Sequence, residues 1–302
     1  MMTIPETQVI SDRLRRHLQV LTVDIGERSI ATLANHRRAA DYIATCLAEI
    51  GLDVQEDPYS FRQHEVANLL AEIPAAHSPC RRYILGAHYD SVVGTVGADD
   101  NASAVAVMLE VARCLQEQPG AMAPDIALQC IAFALEEHPA FASGSMGSRV
   151  RARRARRDRE QIDGMLCLEM VGYTSTEPGS QNYPLPVVFR RFPREGNFIG
   201  IVGDLRSFGL TRSLHKAFKR NRDLPVIKLT VPLGGWMLPA VRLSDHSAYW
   251  DHGYKAVMIT DTAFFRNPNY HTPADTMEKL DYRFMAKLVK SLVGYFRDGR
   301  AK

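Results

Sequence analysis

The sequence predicts an α/β fold: one doubly wound domain over residues 1–302, with a mixed, mostly parallel central sheet flanked by helices. Two observations carry that expectation. Short apolar runs alternate with helix-period segments along the whole chain. Four of the runs, at 83–85, 126–135, 165–168 and 256–260, end in or lead to a histidine or an acid: His88, Glu136-Glu137, Glu169 and His271. In open α/β sheets the carboxyl ends of the strands form the edge where ligands bind, so the four coincidences point to one site.

The elements follow in order. Val9, Leu14, Leu18, Leu21 and Val23 predict a helix within 8–26, and Ala39, Ile43, Cys46, Leu47 and Ile50 put one apolar face on a helix over 35–50, with Gly51 as its C-terminal cap. Residues 52–54 and 66–73 read as strands joined by a polar excursion. The stretch from Arg81 to Leu115 organises the rest: a buried strand at 83–85, then His88-Tyr89-Asp90, a glycine-bearing loop, the pair Asp99-Asp100 and an apolar helix from about Ala102. A strand follows at 125–135 and a small-residue loop at 138–148. Arg149–Arg159 is a solvated helix face by the usual meaning of charge runs. Its start near Glu136-Glu137 leaves attraction of anionic substrates as an alternative. Strands at 165–168, 198–202, 225–231 and 256–260, helices at 210–220 and 282–296, and a short aromatic helix after Ser244-Asp245-His246 complete the pattern. Two long loops remain, 172–197 and 232–243. They hold Tyr173, Tyr183, Trp236 and Met237, and they are expected to line a specificity pocket.

Composition narrows the function. The net charge of +3 is close to balance and the basic run lacks aromatic interleaving, which argues against nucleic acid as partner. No apolar stretch is long enough to span a bilayer, and the first residues lack an apolar signal region. The five cysteines are scattered and read as reduced residues of a cytoplasmic protein. Oligomeric state has no sequence signature here.

The acids and imidazoles suit metal chemistry. Zinc takes histidine nitrogen and carboxylate oxygen, and two ions about 3.5–4 Å apart clamp hydrolytic transition states. His88, one of Asp99 and Asp100, one of Glu136 and Glu137, Glu169 and His271 supply five ligands. The spare glutamate is the expected general base. Asp90, two residues beyond His88 on the same strand face, is placed to orient its ring. Cobalt or manganese would occupy the same donor set.

The motifs His-Tyr-Asp-Ser, Gly-Ala-Asp-Asp-Asn-Ala-Ser, Glu-Glu, Glu-Met-Val-Gly-Tyr, Ser-Asp-His and Tyr-His-Thr-Pro-x-Asp-Thr, taken together over about residues 35–290, resemble the M28 family of zinc aminopeptidases. The resemblance implies two zinc ions and hydrolysis of peptide or aminoacyl substrates from the N-terminus. It selects Asp100 as the bridging ligand and Glu136 as the base. That leaves Glu137 as a ligand, with His88 and Glu169 on one ion and Glu137 and His271 on the other. Three departures stand out. Glu169 lies where the family often has aspartate. Val241 lies where some members have an oxyanion-stabilising tyrosine, so Tyr270 is the expected substitute. The loop after Glu136-Glu137 is altered. Alternatives on related scaffolds are a glutaminyl-cyclase-like acyltransferase with a single zinc, an M20-type dipeptidase or deacylase, and a non-catalytic binding protein. The M20 type is disfavoured because residues 170–270 lack the pattern of its inserted domain.

Overall fold

The computed structural model describes residues 6–299 other than 119, 121, 187 and 188. In chain order it contains α1 (Thr7–Gln19), α2 (Leu33–Glu49), β1 (Val54–Phe61), β2 (His64–Ile73), β3 (Arg81–His88), α3 (Ala104–Gln116), β4 (Ile126–Phe133) and α4 (Gly147–Arg157). Then follow β5 (Gly164–Glu169), β6 (Ile199–Asp204), α5 (Phe208–Phe218), β7 (Val226–Val231), α6 (His246–Asp251), β8 (Ala256–Thr260) and α7 (Tyr282–Asp298). The strands form one sheet in the order β1-β2-β4-β3-β5-β8-β6-β7. The central four, β4, β3, β5 and β8, are parallel, while β2 and β6 join their flanks antiparallel.

The hydrophobic pattern decides which elements are central. β5 is buried at every position and β3 from Tyr83 onward, as expected of strands covered by helices on both faces. α3 carries apolar side chains nearly all round, and it lies between the sheet and helices α1 and α7. One apolar cluster joins α1, α2, α3, α5 and α7 to one face of the sheet. A second, around Phe133, Tyr249 and Trp250, packs α4 and α6 on the other. α7 has an aspartate cap, Asp281 accepting the Phe284 N–H at 2.9 Å, and ends at Gly299 with φ +58°. Such a cap contributes about 1 kcal/mol.

The polar excursion after residue 54 is itself a strand. β1 runs to Phe61 and pairs with β2 along its length. As an edge strand it leaves one face to solvent, so its polar residues mark that face and not a loop. The basic run forms α4, where Arg154 pairs with Asp57, Arg151 with Glu160 at 2.6 Å and Arg149 with Asp251 at 3.1 Å, while Arg153, Arg156 and Arg157 are exposed. No helix among the described residues is long and apolar enough to cross a membrane.

Candidate metal centre

β3 ends at His88, β5 at Glu169, and β4 stops just short of Glu136 and Glu137, so three parallel strands present these side chains at one edge. Asp100 reaches the same point from the turn before α3. His271 arrives from the loop after β8 with φ +57°. His88 Nε2 lies 3.3 Å from Asp100 Oδ1 and 3.6 Å from Glu169 Oε2. His271 Nε2 lies 3.1 Å from Asp100 Oδ2 and 3.4 Å from Glu137 Oε1. Asp100 thus sits between the two imidazoles, one oxygen turned to each. Glu136 Oε2 is 4.0 Å from His88 Nε2. All five expected ligands and the expected base converge.

The surrounding bonds distinguish ligands from supports. Asp90 accepts from His88 Nδ1 at 3.1 Å and from the backbone N–H groups of Glu136 and Glu137 at 3.0 Å. Ser244 Oγ donates to Glu169 Oε2 at 2.6 Å. Asp99 is spent elsewhere: its oxygens accept the Gly172 N–H at 2.8 Å and Asn267 Nδ2 at 2.7 Å. Asp275 accepts the backbone N–H groups of both Asp99 and Asp100, at 2.9 and 3.1 Å. Ser244 and Asp275 lie inside quoted motifs, which is the signal that could have assigned them. Asp245 is buried in the same region, next to Ser148. His246 is structural, its Nε2 2.7 Å from Val241 O and its ring edge-on to Trp250. His138 is exposed, and Cys167 is in the core.

These residues fit a metal ion. His88 Nε2, Asp100 Oδ1 and Glu137 Oε1 are buried without a hydrogen-bond partner, and one ligand atom from each of the three residues lies within 4.8 Å of the others. Asp90, Asp100, Glu136, Glu137 and Glu169 are all buried, and the two imidazoles with the buried Arg28 guanidinium do not balance five carboxylates. Buried carboxylates in such excess need positive charge. The titration behaviour says the same. Burial, then the neighbouring Asp100, pushes Glu137 up to about 8. Burial also raises Glu136 well above the usual carboxylate range against the pull of His88, with Glu137 and Glu169 adding to it. His271 is held up at about 10 against its own burial by Asp100 and Glu137.

Beside the centre lies an apolar pocket of about 100 Å³ that shares Glu169 and Tyr270 with it. Val202, Leu229 and Met258 of β6, β7 and β8 form one wall, Tyr183, Phe189 and Phe192 another, and Leu238, Val241 and Phe264 complete it. Both long loops therefore line the pocket. Tyr173, Trp236 and Met237 are not part of its lining; Trp236 and Met237 are 67% and 71% exposed, and Trp236 stacks beneath the Arg242 guanidinium at 3.9 Å. Tyr270 stacks on His271 with ring centres 3.7 Å apart, and burial followed by the Asp100 and Glu137 charges keeps its hydroxyl protonated.

Comparison with known proteins bears on the family and the fold. The sequence model described as Peptidase family M28 matches residues 68–295. The uncharacterized protein YfbL of Escherichia coli K12 is 37% identical over 290 residues, covering 93% of this chain and 86% of the relative. A zinc aminopeptidase from Bacillus subtilis superposes with a TM-score of 0.73 at 16% identity, over 99% of this chain and 96% of that one. Porphyromonas gingivalis glutaminyl cyclase superposes with a TM-score of 0.70 at 19% identity, over 99% of this chain and 100% of that one.

Proposed function

The chain belongs to peptidase family M28, and from that premise we propose that it is a zinc-dependent aminopeptidase with two metal ions, releasing apolar residues from peptide N-termini. One observation carries the reading: two imidazoles and two further carboxylates meet around Asp100, with ligand atoms that have no hydrogen-bond partner and another glutamate beside them.

Asp100 would be shared, with His88 and Glu169 on one side of it and Glu137 and His271 on the other. Zinc held there supplies Lewis acidity to a peptide carbonyl and makes water nucleophilic near neutral pH. The remaining steps belong to the chain. Asp90 holds the His88 ring and the backbone of Glu136 and Glu137. Glu136, whose carboxylate burial makes a stronger base, takes the proton from the attacking water and passes it to the leaving amine. Tyr270, protonated and beside the centre, donates to the carbonyl oxygen as negative charge develops there. The apolar pocket takes the first side chain and fixes the scissile bond against Glu136. The cysteines are unpaired in the structure, and a reducing, cytoplasmic setting is part of the proposal; cell fractionation tests it.

The test joins elemental analysis to a panel of aminoacyl substrates. The reading expects two transition-metal ions per chain, loss of activity on chelation, recovery with zinc or cobalt, and preference for apolar residues. Active enzyme without bound transition metal would end it. The shape shared with glutaminyl cyclase supports a second reading, cyclisation of N-terminal glutamine. A glutaminyl peptide separates the two: hydrolysis releases glutamine, whereas cyclisation releases ammonia and keeps the peptide intact.

A further inference from the structure

Between His88 and Asp100 the chain runs through residues 89–97, which belong to no helix or strand. Tyr89 at its start is tied to the sheet, its N–H to Phe133 O at 3.0 Å and its hydroxyl to Ala67 O at 2.9 Å, but beyond Tyr89 no strand or helix ladder among the described residues fixes the segment that carries Asp90 and sets the approach of Asp100. A further anchor, reaching both ends, comes from outside the part of the chain that matches the family. Arg28, in the connection between α1 and α2, is fully buried. Among the described residues its guanidinium donates only to backbone carbonyls. Nε meets Tyr89 O at 2.9 Å, and Nη2 meets Gly97 O at 2.9 Å. Nη1 meets Val96 O at 2.7 Å, Leu21 O at 3.0 Å and Gly26 O at 3.2 Å. The Arg28 backbone N–H donates to Ser91 Oγ at 3.0 Å, and that hydroxyl donates to Thr95 O at 3.1 Å.

Both ends of the segment are therefore pinned to one planar group. The far end is close-packed as well: Gly97 has φ +50°, and a Cβ there would come within 2.2 Å of Asp100 O. From the near end the chain of contacts continues through Asp90 to His88, Glu136 and Glu137. Among the described residues Arg28 forms no ion pair. Its buried charge instead lies in the field of Asp90, Asp275 and Asp100. A rigid fork of five N–H donors can span carbonyls at both ends of a loop, and a lysine ammonium with three donors at one point cannot.

We propose that Arg28 is a positioning residue for the metal centre: by clamping residues 89–97 it sets the spacing between His88 and Asp100. The proposal rests on the metallopeptidase reading above. Arg28→Lys keeps the charge and removes the fork. Ser91→Ala loosens the same clamp more mildly and serves if the lysine variant fails to fold. Leu214→Ala, at a buried position of α5, which packs on β6, β7 and α7, serves as a control for lost stability alone. Zinc affinity is read by chelator competition on full-length protein, alongside thermal unfolding and steady-state kinetics.

Supports of this kind are typically worth about 10–100-fold in metal affinity or activity. The expectation is a fall of that order in zinc affinity for Arg28→Lys, a severalfold fall for Ser91→Ala, and kcat reduced more than KM is raised. The Leu214→Ala control should lose thermal stability with zinc affinity unchanged. Zinc affinity and kcat of the clamp variants within about twofold of wild type, whatever their melting temperature, would overturn the role of Arg28. Wild-type protein that takes up no zinc would overturn the parent reading instead.

Discussion

Asp90 joins two strand ends through Glu136: its two carboxylate oxygens lie 3.0 and 3.1 Å from the Glu136 backbone N–H, while Oδ1 also accepts from His88 Nδ1. One carboxylate thereby orients a ligand ring and locates the residue given the proton-transfer role. Asp90→Asn keeps the volume but replaces an acceptor oxygen with an amide nitrogen that would face N–H donors. It should lower zinc affinity by about 10–100-fold, with kcat falling too. Chelator competition checks this, and unchanged affinity would show that the His88 ring is held by other contacts.

Glu169 reaches the centre with one methylene more than the aspartate common in the family, and the 2.6 Å hydrogen bond from Ser244 holds its Oε2. Glu169→Asp should keep two ions and activity within roughly tenfold, since the same carboxylate is presented at shorter reach. Glu169→Ala should lose one ion of the two. Metal content per chain decides it, and two ions retained in the alanine variant would remove Glu169 from the ligand set.

His246 supplies a pH test away from the ligands. It is fully buried, and desolvation, opposed by the hydrogen bond to Val241 O, lowers its pKa to about 4. An unfolded histidine titrates near 6.5. Between those values the unfolded chain binds the proton and the folded chain does not, so the contribution is present above about pH 6.5 and is lost as pH falls toward 4. The shift corresponds to about 3 kcal/mol. Relative to His246→Gln, wild-type apo-protein should lose stability of that order between pH 7 and pH 4 in urea titrations. A pH-independent difference would contradict a buried neutral imidazole.

Much of the site was legible because the signal was local. An apolar run ending in His88 or Glu169 marks a strand and the edge it presents. Choosing within the acidic pairs was not, because residue type is identical there. The structure separates Asp99 from Asp100 by long-range partners: Gly172 and Asn267 occupy Asp99, and the imidazoles face Asp100. β1 was misread since an edge strand exposes the polar face that otherwise signals a loop. Arg28 gave no signal at all, because three of its partners are backbone carbonyls 61 to 69 residues away, and a carbonyl has no residue type.

The most direct test is the turnover of metal-loaded Glu136→Gln. The amide keeps the shape and one acceptor oxygen but cannot take a proton from water. Metal content should be unchanged, since Glu137 and not Glu136 faces His271 and Asp100. KM should move little, because the role of Glu136 lies in the transition state. General acid–base catalysis is worth about 10²–10⁴-fold, and kcat should fall by at least that order. Near wild-type turnover with both ions bound would contradict the account.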